Sequence, residues 1–422
     1  MFVESTGMLS AAAFLTGFFP PLSIAGANVA LFLFLAAALA SHALGRERIV
    51  PARTVFDVPI LFFLAAWALS SALGMDPAKS FGKFGGQARF LPFYLALWVG
   101  GGRYRPMILR GYLWGAGTAV AYGGLQYVMD LAGLPARFPG FYQSWGGAGY
   151  NYLALVGGRI HGAVHPLTYA ETILPFFLMG TAAFLEAEER NARLKTAAWF
   201  SAGGAALLLS QSRGPWLAAG VGLAVLCFHP RRRRLLLPLA LAGASILFLP
   251  SLRDRGTAIV GAANDESTSH RLVLWNNAWQ VAKRRPWFGA GPGCLKAAVE
   301  RTRGEPGFLP NPRGRDGDAH NQYLHHLAER GVPGLAALLI LLGLPLIRAF
   351  RGRASREGSF PGWVRWGLLA SFAAYPIANL TERAFDDAEP ALVFWVMASL
   401  LPVLTKTAGG DGPARSEDAR RS

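Results

Sequence analysis

The chain has 422 residues, of which 52% are hydrophobic and only 16% charged, and its mean hydropathy is positive at +0.30. This composition excludes an ordinary soluble domain and indicates an integral membrane protein. The formal net charge is +16, but the lysines and arginines occur in short clusters between apolar runs. That distribution favours contact with the anionic headgroups of membrane lipids, and no nucleic-acid partner is expected.

In chain order, uncharged stretches close to the roughly 20 residues that a helix needs to cross a bilayer recur throughout the sequence. They predict an all-α polytopic membrane protein with spans near residues 8–20, 22–44, 56–74, 88–102, 108–129, 166–185, 196–212, 215–229, 235–250, 332–349, 363–380 and 389–404. Residues 8–44 form one uncharged run that only Pro20 and Pro21 divide, so the predicted count is eleven or twelve.

The spans divide the chain into four predicted regions. Residues 1–250 carry spans one to nine, residues 251–331 form a large loop with helices, residues 332–404 carry the last three spans, and residues 405–422 form a disordered tail. One set of alternate connections holds 22 lysines and arginines, whereas the other short connections hold 7. The positive-inside rule then places both termini in the cytoplasm and the large loop on the outer face of the membrane.

The large loop is predicted to contain two helices. Ser269 is the expected N-cap of a helix that runs to about Val281, with Trp275 and Trp279 suited to a membrane interface. A second helix is expected to begin after Asp318 as N-cap and to end at Gly331.

His320 opens this second helix at the predicted membrane surface. A neutral imidazole there suits a general base acting on a hydroxyl, although an isolated interfacial histidine is more often inert. His325 and His326 lie at other angles around the helix and do not converge with His320 on one metal ion. His320 is therefore a candidate general base at this point, beside the alternative of an inert interfacial histidine.

Three arginines lie at predicted span or helix ends on the same side, namely Arg159, Arg213 and Arg271. A guanidinium offers a fork of donors that matches phosphate oxygens, although a single arginine can simply extend to lipid headgroups. Among carboxylates, Asp316 and Asp318 form a D-x-D pair that either holds a divalent cation or caps a turn. Glu171 is a candidate because it lies inside a span.

The string His320-Asn321, nine residues, Gly331, two residues, Gly334 resembles the C-terminal signature of bacterial O-antigen ligases. Three further pieces agree in order: Arg159-Ile-His-Gly162, Ser212-Arg213-Gly214, and Arg271 on a helix that leads to Pro286-Trp-Phe-Gly-Ala-Gly-Pro-Gly293. The resemblance covers about residues 150–350.

This resemblance implies a metal-independent, inverting glycosyltransferase of the GT-C type that needs no cofactor. The implied donor is O-antigen on undecaprenyl pyrophosphate, and the implied acceptor is a hydroxyl of lipid A-core. His320 would then deprotonate the acceptor, and Arg159, Arg213 and Arg271 would bind the pyrophosphate. Further candidates for substrate contact are His161, Asn321, Asp318, Asp386 and Asp387.

Other functions stay open at this point. An O-antigen polymerase or a protein O-oligosaccharyltransferase would use the same donor and differ in the acceptor. A transporter or flippase of a lipid-linked or anionic solute would also be polytopic and basic, but such proteins usually place several ionisable residues near mid-membrane.

Overall fold

A computed structural model of the chain describes residues 2–134, 142–145, 148–151, 154–235, 266–311, 317–352 and 360–401. Within these ranges the chain is helical or irregular, apart from one antiparallel hairpin of β1 (Tyr142–Trp145) and β2 (Ala148–Asn151). The helices are α1 (Phe2–Phe18), α2 (Ile24–Ala43), α3 (Asp57–Leu73), α4 (Pro77–Gly82), α5 (Leu91–Trp98), α6 (Arg105–Leu131), α7 (Pro166–Glu186), α8 (Arg190–Leu209), α9 (Arg213–Leu226), α10 (Glu266–Arg284), α11 (Leu295–Arg301), α12 (Gln322–Gly352), α13 (Gly362–Ala378) and α14 (Ala388–Ser399).

The predicted all-helical membrane architecture is confirmed, whereas the predicted number of spans is not. Among the described residues, three helices are long and apolar enough to cross a bilayer, namely α2, α7 and the segment Gln322–Arg351 of α12. Shorter apolar helices are α1, from Gly7, together with α3, α9 and α14. The predicted span at 235–250 and the tail from residue 405 lie outside the described residues.

The N-terminal apolar run forms two helices rather than one. α1 ends at Phe18 and α2 begins at Ile24, with Ser23 as its N-cap accepting the amide of Gly26. α1 packs closely on α6, because a Cβ atom on Gly111 or Gly115 would lie 1.9 Å from the carbonyl oxygen of Phe14 or Phe18. Small residues four apart permit such backbone contact between membrane helices.

α7 lies at the centre of the bundle. Of its 18 most apolar consecutive residues, 94% are buried inside the protein. The helix packs against α6, α8, α9, α13 and α14. A helix that is apolar on all sides belongs in such a position. The outer helices instead present large apolar side chains outwards, including Leu61, Trp114 and Val128. The bundle therefore has the apolar exterior that a bilayer requires.

The connections between helices gather at two ends of the bundle. At the first, the backbone of Met75 donates to Ala290, Arg159 donates to Ser210, and Gln322 donates to Asn379. We call this the site end; it consists of the described parts of residues 70–90, 154–165, 210–214, 270–331 and 379–387. These are the connections that the charge count groups on one side.

At the opposite end, Glu47 pairs with Arg103, Arg231 pairs with Glu188, and Arg105 donates to the carbonyl oxygen of Leu401. We call this the basic end; it consists of the described parts of residues 42–53, 98–105, 186–195, 227–235 and 360–362, together with residue 401. The structure thus separates the two sets of connections as the alternation of spans requires.

Three local predictions were wrong. Ser269 is not an N-cap, because α10 already begins at Glu266. Asp318 is not the N-cap of α12; Asn321 is, since its Oδ1 accepts the amides of Tyr323 and Leu324. The fourth predicted span contains only the eight residues of α5 as α-helix, and a 3-10 helix precedes them.

The predicted break at Gly331 is present, although α12 continues beyond it. Gly331 has φ +66° and ψ −169°, and a Cβ atom there would lie 2.2 Å from the carbonyl oxygen of Trp287. Glycine is needed at this position both for the positive φ and for the close backbone approach. The break separates a polar first part of α12, which belongs to the site end, from the apolar part.

Candidate active site

His320 lies in the loop immediately before α12, with φ +44°. Positive φ is uncommon for a residue with a side chain and is concentrated at functional positions. The Oδ1 atom of Asp318 accepts the backbone amide of His320 at 2.8 Å, which holds the turn. The imidazole keeps 36% of its side-chain surface exposed, so it is accessible from the site end.

Glu382 connects His320 to Arg271. One carboxylate oxygen of Glu382 lies 2.9 Å from Nδ1 of His320, and the other accepts Nη2 of Arg271 at 2.5 Å. Only 9% of the Glu382 side chain is exposed. Because the carboxylate is nearly buried, its two charge-assisted contacts hold the side chains of His320 and Arg271 in place. A carboxylate behind a catalytic histidine has the same effect.

The carboxylate sets the tautomer and the basicity of the imidazole. Nδ1 of His320 carries the proton that it donates to Glu382, which leaves Nε2 with a lone pair. The hydrogen bond to Glu382 raises the pKa of His320 above its ordinary value, while burial opposes the rise. His320 is therefore arranged as an oriented base with increased basicity.

Arg159 and Arg213 lie at the turn between α8 and α9. Arg159 donates to the carbonyl oxygen of Ser210 and to Oγ of Ser212, both at 2.7 Å. Arg213 begins α9, and the next residue, Gly214, lies so close to Thr381 that a Cβ atom would be 1.9 Å from its Oγ1. This turn therefore contacts the segment that carries Glu382.

His165, which sequence analysis did not single out, lies beside the same groups. It is the N-cap of α7, and Nδ1 accepts the amide of Leu167. Burial lowers the pKa of His165, the charge of Arg159 lowers it further, and Glu382 opposes the shift. His165 is thus within electrostatic range of both the arginine turn and the carboxylate behind His320. The sequence signal was its position before Pro166, where a helix begins.

Behind His320 lies a network of buried and half-buried charges. Arg383 forms an ion pair with Asp318 at 2.8 Å and donates to Nε2 of His325 at 3.0 Å. Asp386 contacts Arg330 at 3.5 Å and His326 at 3.3 Å. Although burial opposes ionisation, Arg330 and His326 hold the pKa of Asp386 well below its usual range. The network joins residues 318–330 to residues 383–386.

The other predicted contact residues have different surroundings. His161 is buried, with Nδ1 near the carbonyl oxygen of Val164 and Nε2 near Gln126, so it positions the loop. Asn321 caps α12. Asp387 is the N-cap residue of α14, and burial raises its pKa to about 7.

The remaining acidic candidates are the D-x-D pair and Glu171. Asp316 lies outside the described residues, and Asp318 is occupied by Arg383 and by the amide of His320. These contacts favour a capping role for Asp318 over a cation-binding one. Glu171 is buried in α7, and neither carboxylate oxygen has a hydrogen-bond partner among the described residues.

Sequence analysis missed Glu382 and Arg383, although both lie in the connection that supplied Asp386 and Asp387. Their contacts depend on the approach of residues 379–387 to residues 318–322, through the backbone bonds from Gln322 to Asn379 and Glu382. Residues about 60 positions apart in sequence are brought together by the packing of α12 on α13. No periodicity within either segment predicts that approach.

The fold and the site define a helical membrane protein in which a histidine, a carboxylate and arginines meet at one end of the bundle. Residues 197–339 match a family model described as O-antigen ligase. This match, which covers about a third of the chain, confirms the resemblance found in the sequence. The matched segment contains Arg213, Arg271 and His320. A search of curated proteins finds no match.

Proposed function

We propose that this protein transfers O-polysaccharide from undecaprenyl pyrophosphate to a hydroxyl of lipid A-core at the periplasmic face of the inner membrane. The family match points to a membrane glycosyltransferase-like enzyme of O-antigen processing. The observation that supports the finer proposal best is the contact of Glu382 with both His320 and Arg271. Through Glu382, the proposed base His320 is joined to Arg271, whose guanidinium can bind phosphate.

The proposed reaction is a single inverting displacement. Nε2 of His320 takes the proton of the acceptor hydroxyl while its oxygen attacks the anomeric carbon, and the bond from that carbon to the pyrophosphate oxygen breaks. The arginines stabilise the negative charge that develops on the leaving pyrophosphate. Glu382 stabilises the imidazolium that forms at His320.

The guanidinium groups of the candidate arginines are held by different contacts. Arg271 shares Glu382 with His320, so a pyrophosphate bound by Arg271 would lie next to the base. Arg159 is held by the backbone of Ser210 and the hydroxyl of Ser212, which gives its guanidinium a fixed direction. Because each guanidinium has five N–H donors, such protein contacts are compatible with binding phosphate oxygens.

The direct test is complementation of two bacterial strains, one without its O-antigen ligase and one without its O-antigen polymerase. We expect the wild-type chain to restore a lipopolysaccharide ladder in the ligase-null strain only. Rescue of chain length in the polymerase-null strain alone would support polymerisation instead. Failure in both strains, with normal accumulation and confirmed donor supply, would contradict both reactions.

We further propose that catalysis needs no metal ion. The charge that forms on the leaving group is matched by arginines, and Asp318 already pairs with Arg383. Transfer by the purified protein should therefore continue in excess EDTA at the rate measured without it. A large loss of rate that magnesium or manganese restores would instead support a cation at the D-x-D pair.

A further inference from the structure

A surface at the site end combines exposed aromatic side chains with lysines. It is formed by α4, the residues after it and the glycine-rich loop before α11. We call it the interfacial rim and define it by Lys79, Phe81, Lys83, Phe84, Trp287 and Phe288. Trp287 is 66% exposed and Phe81 47%, which is unusual for aromatic side chains in water.

The rim is a built surface rather than two unrelated loops. Oγ of Ser80 donates to the carbonyl oxygen of Pro292 at 3.1 Å, and the amide of Met75 donates to Ala290 at 2.8 Å. A Cβ atom on Gly293 would lie 3.6 Å from Cγ of Lys83, so the lysine stem passes directly over the glycine-rich loop. The glycines therefore let α4 and this loop approach each other.

The position of Gly331 places the rim at the boundary between the polar and apolar parts of α12. The amide of Val332 donates to the carbonyl oxygen of Pro286 at 2.7 Å, and the next two residues of that loop are Trp287 and Phe288. The uncharged run of α12 begins at this point, because residues 332–347 contain no charged side chain. Exposed aromatic rings at such a boundary are typical of the membrane interface.

Within the described part of the chain, the two lysines of the rim form no ion pair with a carboxylate. Among the described residues, neither Lys79 nor Lys83 lies within 4.0 Å of an acidic side chain. A third lysine, Lys296 on α11, pairs with Glu300 at 3.8 Å and lies next to Gly317, whose Cβ atom would be 3.5 Å from the Cβ of Lys296. Gly317 directly precedes Asp318, which holds the turn at His320. The two rim lysines are therefore the cations that this surface offers to an anionic group.

We propose that the interfacial rim binds the phosphorylated headgroup of the membrane-anchored acceptor. This inference rests on the proposed function and deepens it by assigning a place to the acceptor. The aromatic side chains suit the boundary where a lipid headgroup lies, and the lysines suit phosphate as compact positive charges. The occupant is a glycolipid with phosphate close to its lipid anchor.

The rim favours the acceptor over the donor because its cations lie on different elements from the arginines. Arg159, Arg213 and Arg271 lie at the α8–α9 turn and on α10, whereas the rim lysines lie on or beside α4. The rim is also tied to the helix that follows His320, since the amides of Ala290 and Gly291 donate to Ala328 and Glu329. These residues lie only about 10 Å along α12 from its first residue. A headgroup on the rim can therefore extend its sugars to the base.

The test compares acceptor binding and acceptor kinetics in the wild type and in a double variant, Lys79→Gln with Lys83→Gln. The probes are purified lipid A-core and the same lipid A-core after chemical removal of its phosphates, presented in nanodiscs of phosphatidylcholine. The matched control is Lys195→Gln, an exposed lysine at the basic end. Unchanged thermal unfolding of the double variant shows that the fold is retained.

We expect the double variant to raise the acceptor KM about 10- to 30-fold, with the donor KM and kcat unchanged, because each lysine at a membrane surface contributes about 1 kcal/mol towards an anionic headgroup. Dephosphorylated acceptor should bind the wild type and the double variant equally weakly. Equal KM values for phosphorylated acceptor in the two proteins would overturn the proposal. The proposal would also be overturned if anionic phosphatidylglycerol in the nanodisc abolished the difference in acceptor KM between the wild type and the double variant. The rim would then bind bulk membrane lipid rather than the acceptor.

Direct binding separates this proposal from the proposed function. Binding of phosphorylated lipid A-core is measured by native mass spectrometry in the His320→Ala background, where no transfer is required. If this binding depends on the two lysines but the wild type transfers no glycan to the acceptor, the transferase proposal fails and the rim stands. If the wild type transfers glycan and the lysines affect neither binding nor KM, the rim proposal fails alone.

Discussion

The two ends of the bundle hold their charged residues in different ways. At the basic end, Arg231 and Glu188 form an exposed pair, and Arg103, with half of its side chain exposed, pairs with Glu47. At the site end, Asp386, Arg330 and His326 are buried together, and Glu382 links His320 to Arg271. Exposed pairs contribute little to stability, whereas burying ionised groups is costly unless they are well paired.

This difference indicates what each end is for. Positive charge in short, exposed connections is sufficient to orient a membrane protein. The site end has features that the orientation of the protein in the membrane does not require. They are a network of buried charges, a histidine at positive φ, and a carboxylate shared by a base and an arginine. Such constraints are expected where groups must be held for chemistry.

The largest expected effect is that of His320→Ala. Loss of the general base should lower kcat about 10²- to 10⁴-fold without reducing accumulation of the protein, because the imidazole contributes to proton transfer rather than to the core. Turnover of lipid-linked donor by the purified protein measures it. The control is His42→Ala at the basic end, which should keep wild-type turnover; equal loss in both variants would contradict a specific role for His320.

Replacing Glu382 by Gln should have the next largest effect. The variant keeps the shape of the side chain but removes the charge that orients His320, so kcat should fall about 10- to 100-fold. Glu47→Gln is the matched control, because Glu47 is a buried carboxylate paired with an arginine at the other end. Both variants are measured for turnover and thermal unfolding. Similar losses of turnover in the two would remove the distinction between the ends.

A smaller effect is expected for Arg213. Arg213→Ala should lower kcat/KM for the pyrophosphate-linked donor about 10- to 100-fold, as loss of a charge-assisted hydrogen bond does, and Arg213→Lys should be intermediate. The acceptor KM should not change. Arg103→Ala serves as the control at the basic end. Donor kinetics of Arg213→Ala equal to those of the wild type would exclude Arg213 from the donor site.

Much of the fold can be predicted from the sequence, because membrane helices are set by local apolar length. The boundaries of α2 and α7 agree with the predicted spans within a few residues. The exact starts of the helices in the large loop were harder to predict from the sequence. Ser269, Asp318 and Asn321 are all suitable N-cap residues, and tertiary packing determines which of them is used. The eight residues of α5 show that an apolar run need not be one long helix.

The candidate site was predicted only in part. His320 and Arg271 carry recognisable patterns, and the structure brings both to Glu382. Glu382 itself has no motif, and its role arises from contact between segments about 60 residues apart. Asp386 was a candidate for substrate contact in the sequence, whereas in the structure its side chain is buried against Arg330 and His326. Local patterns identify residue types suited to chemistry, whereas tertiary packing decides which of them meet.

The central claim is that Glu382 prepares His320 as the base, and the pH dependence of kcat/KM for the acceptor tests it most directly. A base with a raised pKa becomes neutral only at higher pH, so the wild-type rate should increase with pH through an apparent pKa above the ordinary histidine value of about 6.5. In Glu382→Gln, the main cause of the raised pKa is removed, and the acid limb should move to lower pH while the maximum rate falls. An acid limb at the same pH in both proteins would contradict the claim.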